Sequence, residues 1–171
     1  HYALPAFLGA TVFGGLSLVL AQNLIVLTHV FLNGIVMYGF AWSATRHHRA
    51  SILAGVLFGT SPYLAAHVLG HFELLAAWPL PAFAWALRRA IATGSKTTAV
   101  VASAVLTATA YTTYYYVVYL GVFAVTYCIA WSGCVSISTA ERMPSRRLRM
   151  LRAFLVAAMA ATAFLVLWIL A

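Results

Sequence analysis

Acidic residues are nearly absent from this chain of 171 residues, which has no aspartate and only two glutamates, Glu73 and Glu141, against ten lysines and arginines. Charged residues of both signs make up 7% of the chain, too few to cover the surface of a water-soluble domain. Hydrophobic residues make up 64%, and the mean hydropathy is +0.96. These values exclude an ordinary soluble domain and predict an integral membrane protein.

Cysteine is also scarce, which argues against a disulfide framework. Cys128 and Cys134 lie in or just after an apolar run, without a second pair or a histidine-rich motif beside them. We interpret both as packing residues, since free cysteine is commonly buried.

The basic residues fall into three tight groups between apolar runs. This pattern is typical of membrane topology, so we predict no nucleic-acid partner despite the formal charge of +8. If each apolar run is a helical hairpin, all three groups share one face of the membrane, which the positive-inside rule assigns to the cytoplasm. The groups are Arg46 and Arg49; Arg88, Arg89 and Lys96; and Arg142, Arg146, Arg147, Arg149 and Arg152.

Run lengths predict the spans. Residues 97–140 are uncharged and as one helix would extend about 65 Å, twice the hydrocarbon thickness, and residues 50–87 would extend about 55 Å. We therefore predict an all-α, polytopic transmembrane helical bundle of about six spans, and the run lengths exclude a barrel. The predicted spans are 24–44, 50–69, 74–90, 97–111, 115–132 and 151–171.

The opening segment is predicted to differ from the other spans. A polar break at Gln22–Asn23 separates residues 4–21 from the first span, and Pro5 and Gly14–Gly15 favour an interfacial or re-entrant helix there. We treat residues 1–171 as a single transmembrane module. Both ends look cut, so we expect it to be part of a longer chain.

Glu73 is the first candidate for a functional residue, because an ionisable group in so apolar a chain is a functional-site hypothesis by default. It is predicted at an outward hairpin tip, at the start of a helix whose dipole favours a negative charge. The simpler interpretation is a solvated capping acid. His67 and His71 are four residues apart and would share a helix face, and we expect one of them to donate a hydrogen bond to Glu73 or to a bound anion. The HExxH order is absent, so we predict no metal site and no cofactor.

Tyrosines crowd the second outward tip, around residues 111–119. An aromatic belt at the headgroup level explains some of them. Their number, together with Thr112 and Thr113, offers more hydroxyl groups than an anchor needs, so we predict that Tyr114 and Tyr115 contact a sugar ring or a phosphate. Elsewhere, Ser61–Pro62 and Pro79 are expected to bend or loosen their helices.

Several short motifs follow one another along most of the chain: Ala21–Leu24, Leu32–Tyr38, Ala54–Gly55, Phe58, Ser61–Tyr63, Gly70–Leu74, Trp78–Leu80, Arg88 and Tyr114–Tyr116. This succession resembles bacterial polytopic glycosyltransferases of the GT-C superfamily, and it is most similar to the YfhO-like and family 39-like membrane proteins.

The resemblance implies an enzyme of the bacterial inner membrane that transfers a sugar from a polyprenyl-phosphate carrier to an extracytoplasmic acceptor. The family's catalytic carboxylate would precede His1, so the resemblance assigns no catalytic residue here. Many relatives carry an amide at the position of Glu73, which favours a supporting contact to sugar or phosphate over the role of base. The predicted contacts to the lipid-linked donor are Glu73, His71, His67, Tyr114 and Tyr115.

Two other classes stay open. A transporter or flippase-like module would use Glu73 and the histidines to relay protons or to bind a cation, although such groups usually lie near the midplane on broken helices. A non-catalytic membrane scaffold is compatible with the absence of aspartate.

Overall fold

A computed structural model describes residues 10–12, 14–68 and 70–138, with side chains described as far as Trp131. The described elements are all α-helices, and no β-strand occurs within these ranges, which confirms the predicted all-α class. The helices are α1 (Leu18–Thr45), α2 (His48–Gly59), α3 (Pro62–His67), α4 (Phe72–Leu75), α5 (Pro79–Thr93), α6 (Lys96–Thr112) and α7 (Tyr114–Ser138).

Helix α1 begins six residues earlier than the predicted span. Ser17 has an extended backbone and caps the helix by accepting a hydrogen bond from the N–H of Leu20 at 3.4 Å. The predicted break at Gln22–Asn23 is wrong, because both residues continue the helix. The start of α1 is therefore set by the capping residue Ser17 and not by Gln22 and Asn23. Of the predicted interfacial segment, residues 4–9 and 13 lie outside the described ranges, residues 10–12 are helical, and residues 18–21 belong to α1 and not to a separate helix.

A tight turn joins α1 to α2. Arg46 adopts a left-handed conformation, with φ of 55°, and its N–H donates to the carbonyl oxygen of Trp42 at 3.0 Å. The hydroxyl of Thr45 donates to the carbonyl oxygen of Ala41 and accepts from the N–H of His47. The N–H groups of Arg46 and His47 are therefore both hydrogen-bonded to the last turn of α1.

The turn between α5 and α6 repeats this arrangement. Gly94 is left-handed, with φ of 67°, and its N–H donates to the carbonyl oxygen of Ala90 at 2.8 Å. The hydroxyl of Thr93 donates to the carbonyl oxygen of Arg89 and accepts from the N–H of Ser95. Each of the two turns that carry the first and second basic groups is thus built from threonine followed by a left-handed residue.

Glycines allow α1 and α2 to pack backbone against backbone. A Cβ atom on Gly55 would lie 2.7 Å from the carbonyl oxygen of Gly34, and one on Gly59 would lie 3.2 Å from the amide nitrogen of Gly34. Small residues at helix contacts are typical of packing in lipid.

The predicted continuous span 50–69 is wrong, because the helix ends at Gly59 and restarts at Pro62. Proline lacks an N–H and disfavours helical geometry in the residue before it. Ser61 is accordingly extended, and its side chain caps α3 by accepting from the N–H of Leu64. The sequence predicts a bend at this point, and the structure shows that the helix is interrupted completely.

The predicted span 74–90 is also interrupted. Helix α4 is a single turn of four residues, and α5 begins at Pro79. Pro79 is tolerated there because the first residues of a helix need no intrahelical N–H bond. By contrast, 97–111 and 115–132 are matched by α6 and α7, with a one-residue break at Thr113. The predicted span 151–171 lies outside the described residues.

Two of the described helices are long and apolar enough to cross a membrane, by length and composition: α1 and the part of α7 from Tyr114 to Trp131. Only 11% of each apolar window is buried, so most of these side chains face outward. The prediction of about six spans is not met in the described chain, because prolines divide two of them and α6, with 17 residues, is only about 25 Å long.

The chain divides into two compact units. Among the described residues, one unit holds those up to Ala82 together with Tyr111–Tyr114, and the other holds Phe83–Ala110 and residues 115–138. In the second unit, buried residues of α5 recur at helical spacing and form one apolar stripe. The stripe comprises Phe83, Ala86, Leu87, Ala90 and Ile91.

Candidate functional site

The segment between α3 and α5 carries the ionisable residues predicted to matter. Helix α3 ends at His67, whose carbonyl oxygen accepts from the N–H groups of Gly70 and His71 at 3.4 and 3.1 Å. His71 then starts the single turn of α4 without a side-chain cap, and its carbonyl oxygen accepts from the N–H of Leu74 at 2.9 Å. The backbone therefore turns at this point, and the side chain of His71 is largely exposed.

Four side chains form a continuous line, which we call the polar row: Tyr63, His67, His71 and Glu73. The ring centroids of Tyr63 and His67 lie 4.4 Å apart, and those of His67 and His71 lie 6.0 Å apart. His71 Nδ1 lies 3.5 Å from Glu73 Oε1, within ion-pair distance when the ring is protonated. The side chain of His71 is 70% exposed and that of Glu73 is 35% exposed. The row is thus accessible to a ligand.

The proton positions on His67 follow from its partner. His67 Nδ1 lies 2.6 Å from the carbonyl oxygen of Tyr63, which can only accept, so Nδ1 carries a proton. The other ring nitrogen, Nε2, is an acceptor in the neutral ring and a donor in the imidazolium. The row can therefore donate to an anion through its histidines and accept from a hydroxyl through Glu73.

Among the described residues, no group of three histidine, cysteine, aspartate or glutamate side chains is placed to hold a metal ion.

Buried residues next to the polar row hold its segment against α1, and the sequence did not identify them as candidates. Leu75, Ala76 and Ala77 are buried, and the carbonyl oxygen of Leu75 accepts a 2.8 Å hydrogen bond from Asn33 Nδ2 on α1. Asn33 is 0% exposed, and its Oδ1 has no partner. An asparagine within an otherwise apolar run was the available signal, because a buried amide needs a hydrogen-bond partner.

The predicted tyrosines lie at the start of α7. Tyr114 and Tyr115 are about half exposed; Tyr114 belongs to the first unit, as the polar row does, and Tyr115 belongs to the second. Tyr116 is buried and Tyr119 is exposed, so the cluster divides between packing and surface. Of the five predicted residues, direct contacts join His67, His71 and Glu73 in the polar row.

Comparison with protein-family models, with curated proteins and with solved structures finds no match to this chain. The resemblance to the GT-C superfamily therefore stays a prediction, and the geometry of the polar row has to support any functional proposal.

Proposed function

We propose that the chain is the membrane-embedded part of a glycosyltransferase, which transfers a sugar from a polyprenyl-phosphate carrier to an extracytoplasmic acceptor. The observation that carries the proposal is the accessible row of His67, His71 and Glu73 on an interrupted segment of an otherwise apolar chain. A sugar phosphate needs donors for its anionic oxygens and an acceptor for its hydroxyls, and the row offers both.

A membrane location is supported by the surfaces of α1 and α7. Large apolar side chains cover them, including Leu18 at 86% exposure and Phe31 at 67% on α1, and Ile129 at 65% on α7. Exposed apolar surface of this extent marks contact with lipid or with another protein. We propose the inner membrane of a bacterium, with the basic turns in the cytoplasm.

The depth of the polar row is compatible with this topology. Helix α2 has 12 residues and α3 has 6, so laid end to end they extend about 27 Å, close to the hydrocarbon thickness of about 30 Å. With the Arg46–Arg49 turn at the cytoplasmic face, His67 would approach the opposite face. The phosphate of a carrier lipid in the outer leaflet would lie at this level.

A binding experiment tests the proposal with undecaprenyl phosphate as the probe and undecaprenol, which lacks the phosphate, as its control ligand. We expect the full-length protein in liposomes to retain the phosphate form. The double variant His67→Ala/His71→Ala should bind it at least about tenfold more weakly, because two charge-assisted hydrogen bonds are lost.

Lys96→Ala is the control, since Lys96 is an exposed basic residue at the start of α6. It should bind undecaprenyl phosphate as the unaltered protein does. Equal retention of undecaprenol, or an unchanged affinity of the double variant, would contradict the proposed role of the row.

A transport function is the second candidate, and one observation favours it. The predicted spans around the row are interrupted at Thr60–Ser61 and at Ala76–Trp78, and broken helices next to ionisable side chains are typical of transporters. Proton flux into liposomes that contain the protein, abolished by Glu73→Gln, would support transport over glycosyl transfer.

A further inference from the structure

An apolar groove runs between α1 and α2 in the first unit. It is shallow and open, with a volume of about 370 Å³. Its wall is formed by exposed or half-buried side chains from both helices: Phe31, Ile35, Tyr38, Ile52 and Val56. We call it the α1–α2 groove.

One end of the groove leads directly to the first basic turn. Residues three or four positions apart share a helix face. His48 and Arg49 therefore lie on the same face of α2 as Ile52. Trp42 lies on the same face of α1 as Tyr38. The structure joins these residues: Tyr38 Oη shares a 2.9 Å hydrogen bond with His48 Nδ1. The rings of Trp42 and His48 lie 4.6 Å apart.

The turn itself is cationic and accessible. Arg46, His47, His48 and Arg49 are consecutive and exposed. The only acidic residue in the described ranges is Glu73, which lies beyond the far ends of α2 and α3. An apolar groove that opens onto such a turn matches an amphiphile with a long apolar chain and an anionic head.

The glycines beneath the groove do not offer a second helix a place to dock. Gly34, Gly55 and Gly59 already bring α1 and α2 together, with clearances between 2.7 and 3.5 Å for an added Cβ. The close helix contact that small residues permit is therefore already made between α1 and α2. The accessible surface of the groove consists of large apolar side chains.

We propose that the α1–α2 groove binds an anionic phospholipid, with one acyl chain against Phe31, Ile35 and Val56 and the headgroup phosphate at Arg46, His48 and Arg49. Basic residues beside membrane helices attract anionic headgroups, and arginine pairs well with phosphate. The site lies at the cytoplasmic end of the helices. It depends on membrane insertion and not on glycosyl transfer.

The test is lipid retention by the delipidated full-length protein in detergent, measured by native mass spectrometry with phosphatidylglycerol and phosphatidylcholine of identical chains. We expect phosphatidylglycerol to bind at least about tenfold more tightly. The variant Arg46→Gln/Arg49→Gln should lose about fivefold in affinity for phosphatidylglycerol per arginine. It should lose less affinity for phosphatidylcholine, because the choline cation already balances the charge of that phosphate. Lys96→Gln, in the turn between α5 and α6, is the charge control and should change neither affinity.

A second variant tests the groove separately from the charges. Val56→Trp fills it and should reduce binding of both lipids, whereas Leu57→Trp, equally exposed on the same helix but outside the groove, should not. Equal binding of the two lipids, or an unchanged affinity of the double arginine variant, overturns the proposal. So does a Val56→Trp protein that keeps its lipids but changes its oligomeric mass, because a second copy would then occupy the groove.

Discussion

Asn33 Nδ2 donates a hydrogen bond to the carbonyl oxygen of Leu75 at 2.8 Å, which joins α1 to α4 across 42 residues of sequence. Because Glu73 precedes Leu75 by two residues in the same helical turn, this bond also positions the acidic end of the polar row. A short helix of four residues cannot hold its own place by internal bonds, since helix formation is unfavourable at that length. A buried side chain on a long helix therefore anchors it.

Removing this anchor should destabilise the protein. We expect Asn33→Ala to lower the free energy of unfolding by about 1–3 kcal/mol, because the buried carbonyl of Leu75 loses its partner. Asn23→Ala is the matched control on an exposed position of the same helix. Thermal unfolding in detergent measures the difference, and equal stability of the two variants would show that the bond does not hold α4 in place.

The contact between α1 and α2 gives a second prediction. Gly55→Ala should destabilise by about 1–3 kcal/mol, as overpacking does, because the new Cβ would lie 2.7 Å from a backbone oxygen that cannot rotate away. Gly121→Ala, in α7, meets nothing within 4 Å and should be neutral or slightly stabilising, since alanine favours a helix. Chemical denaturation of both variants tests the pair, and a Gly55→Ala protein as stable as Gly121→Ala would rule out close packing at this point.

At the equivalent left-handed positions of the two threonine turns, introducing a glycine and removing one should have opposite effects on stability. Arg46 holds a left-handed conformation that disfavours residues with a Cβ, whereas Gly94 holds it without strain. We expect Arg46→Gly to raise the free energy of unfolding by up to about 1 kcal/mol and Gly94→Ala to lower it by about 1 kcal/mol. Calorimetry on the two variants checks the signs. Shifts in the same direction would contradict the shared geometry of the turns.

The helical class and the helices α6 and α7 could be predicted from sequence, because hydropathy and run length determine them directly. The interruptions around Ser61 and Ala76 were only partly predictable. Proline signals a bend, but whether a helix continues past it depends on capping and on what packs nearby, as the Ser61 cap and the Asn33 bond illustrate. Asn33 itself could not be assigned to Leu75, since pairing across 42 residues follows from the packing of α1 on α4.

The role of Glu73 is the most informative prediction for function. Glu73→Gln keeps the size of the side chain and removes its charge. The glutamate is partly exposed, and its contact with His71 is 3.5 Å long, so we expect stability to change by less than about 0.5 kcal/mol. If Glu73 accepts a hydrogen bond from the sugar, glycosyl transfer by the full-length protein should fall about tenfold or more, because a hydrogen bond to a charged group is lost.

His71→Gln separates the two partners. It removes the neighbouring imidazole and leaves the carboxylate of Glu73 in place, so a weaker effect on transfer than that of Glu73→Gln would assign the sugar contact to the carboxylate itself. Transfer rates and thermal unfolding are measured on the same preparations. Unchanged transfer in Glu73→Gln, with the protein still folded, would remove Glu73 from the site and leave it as a partly exposed residue of the first turn of α4.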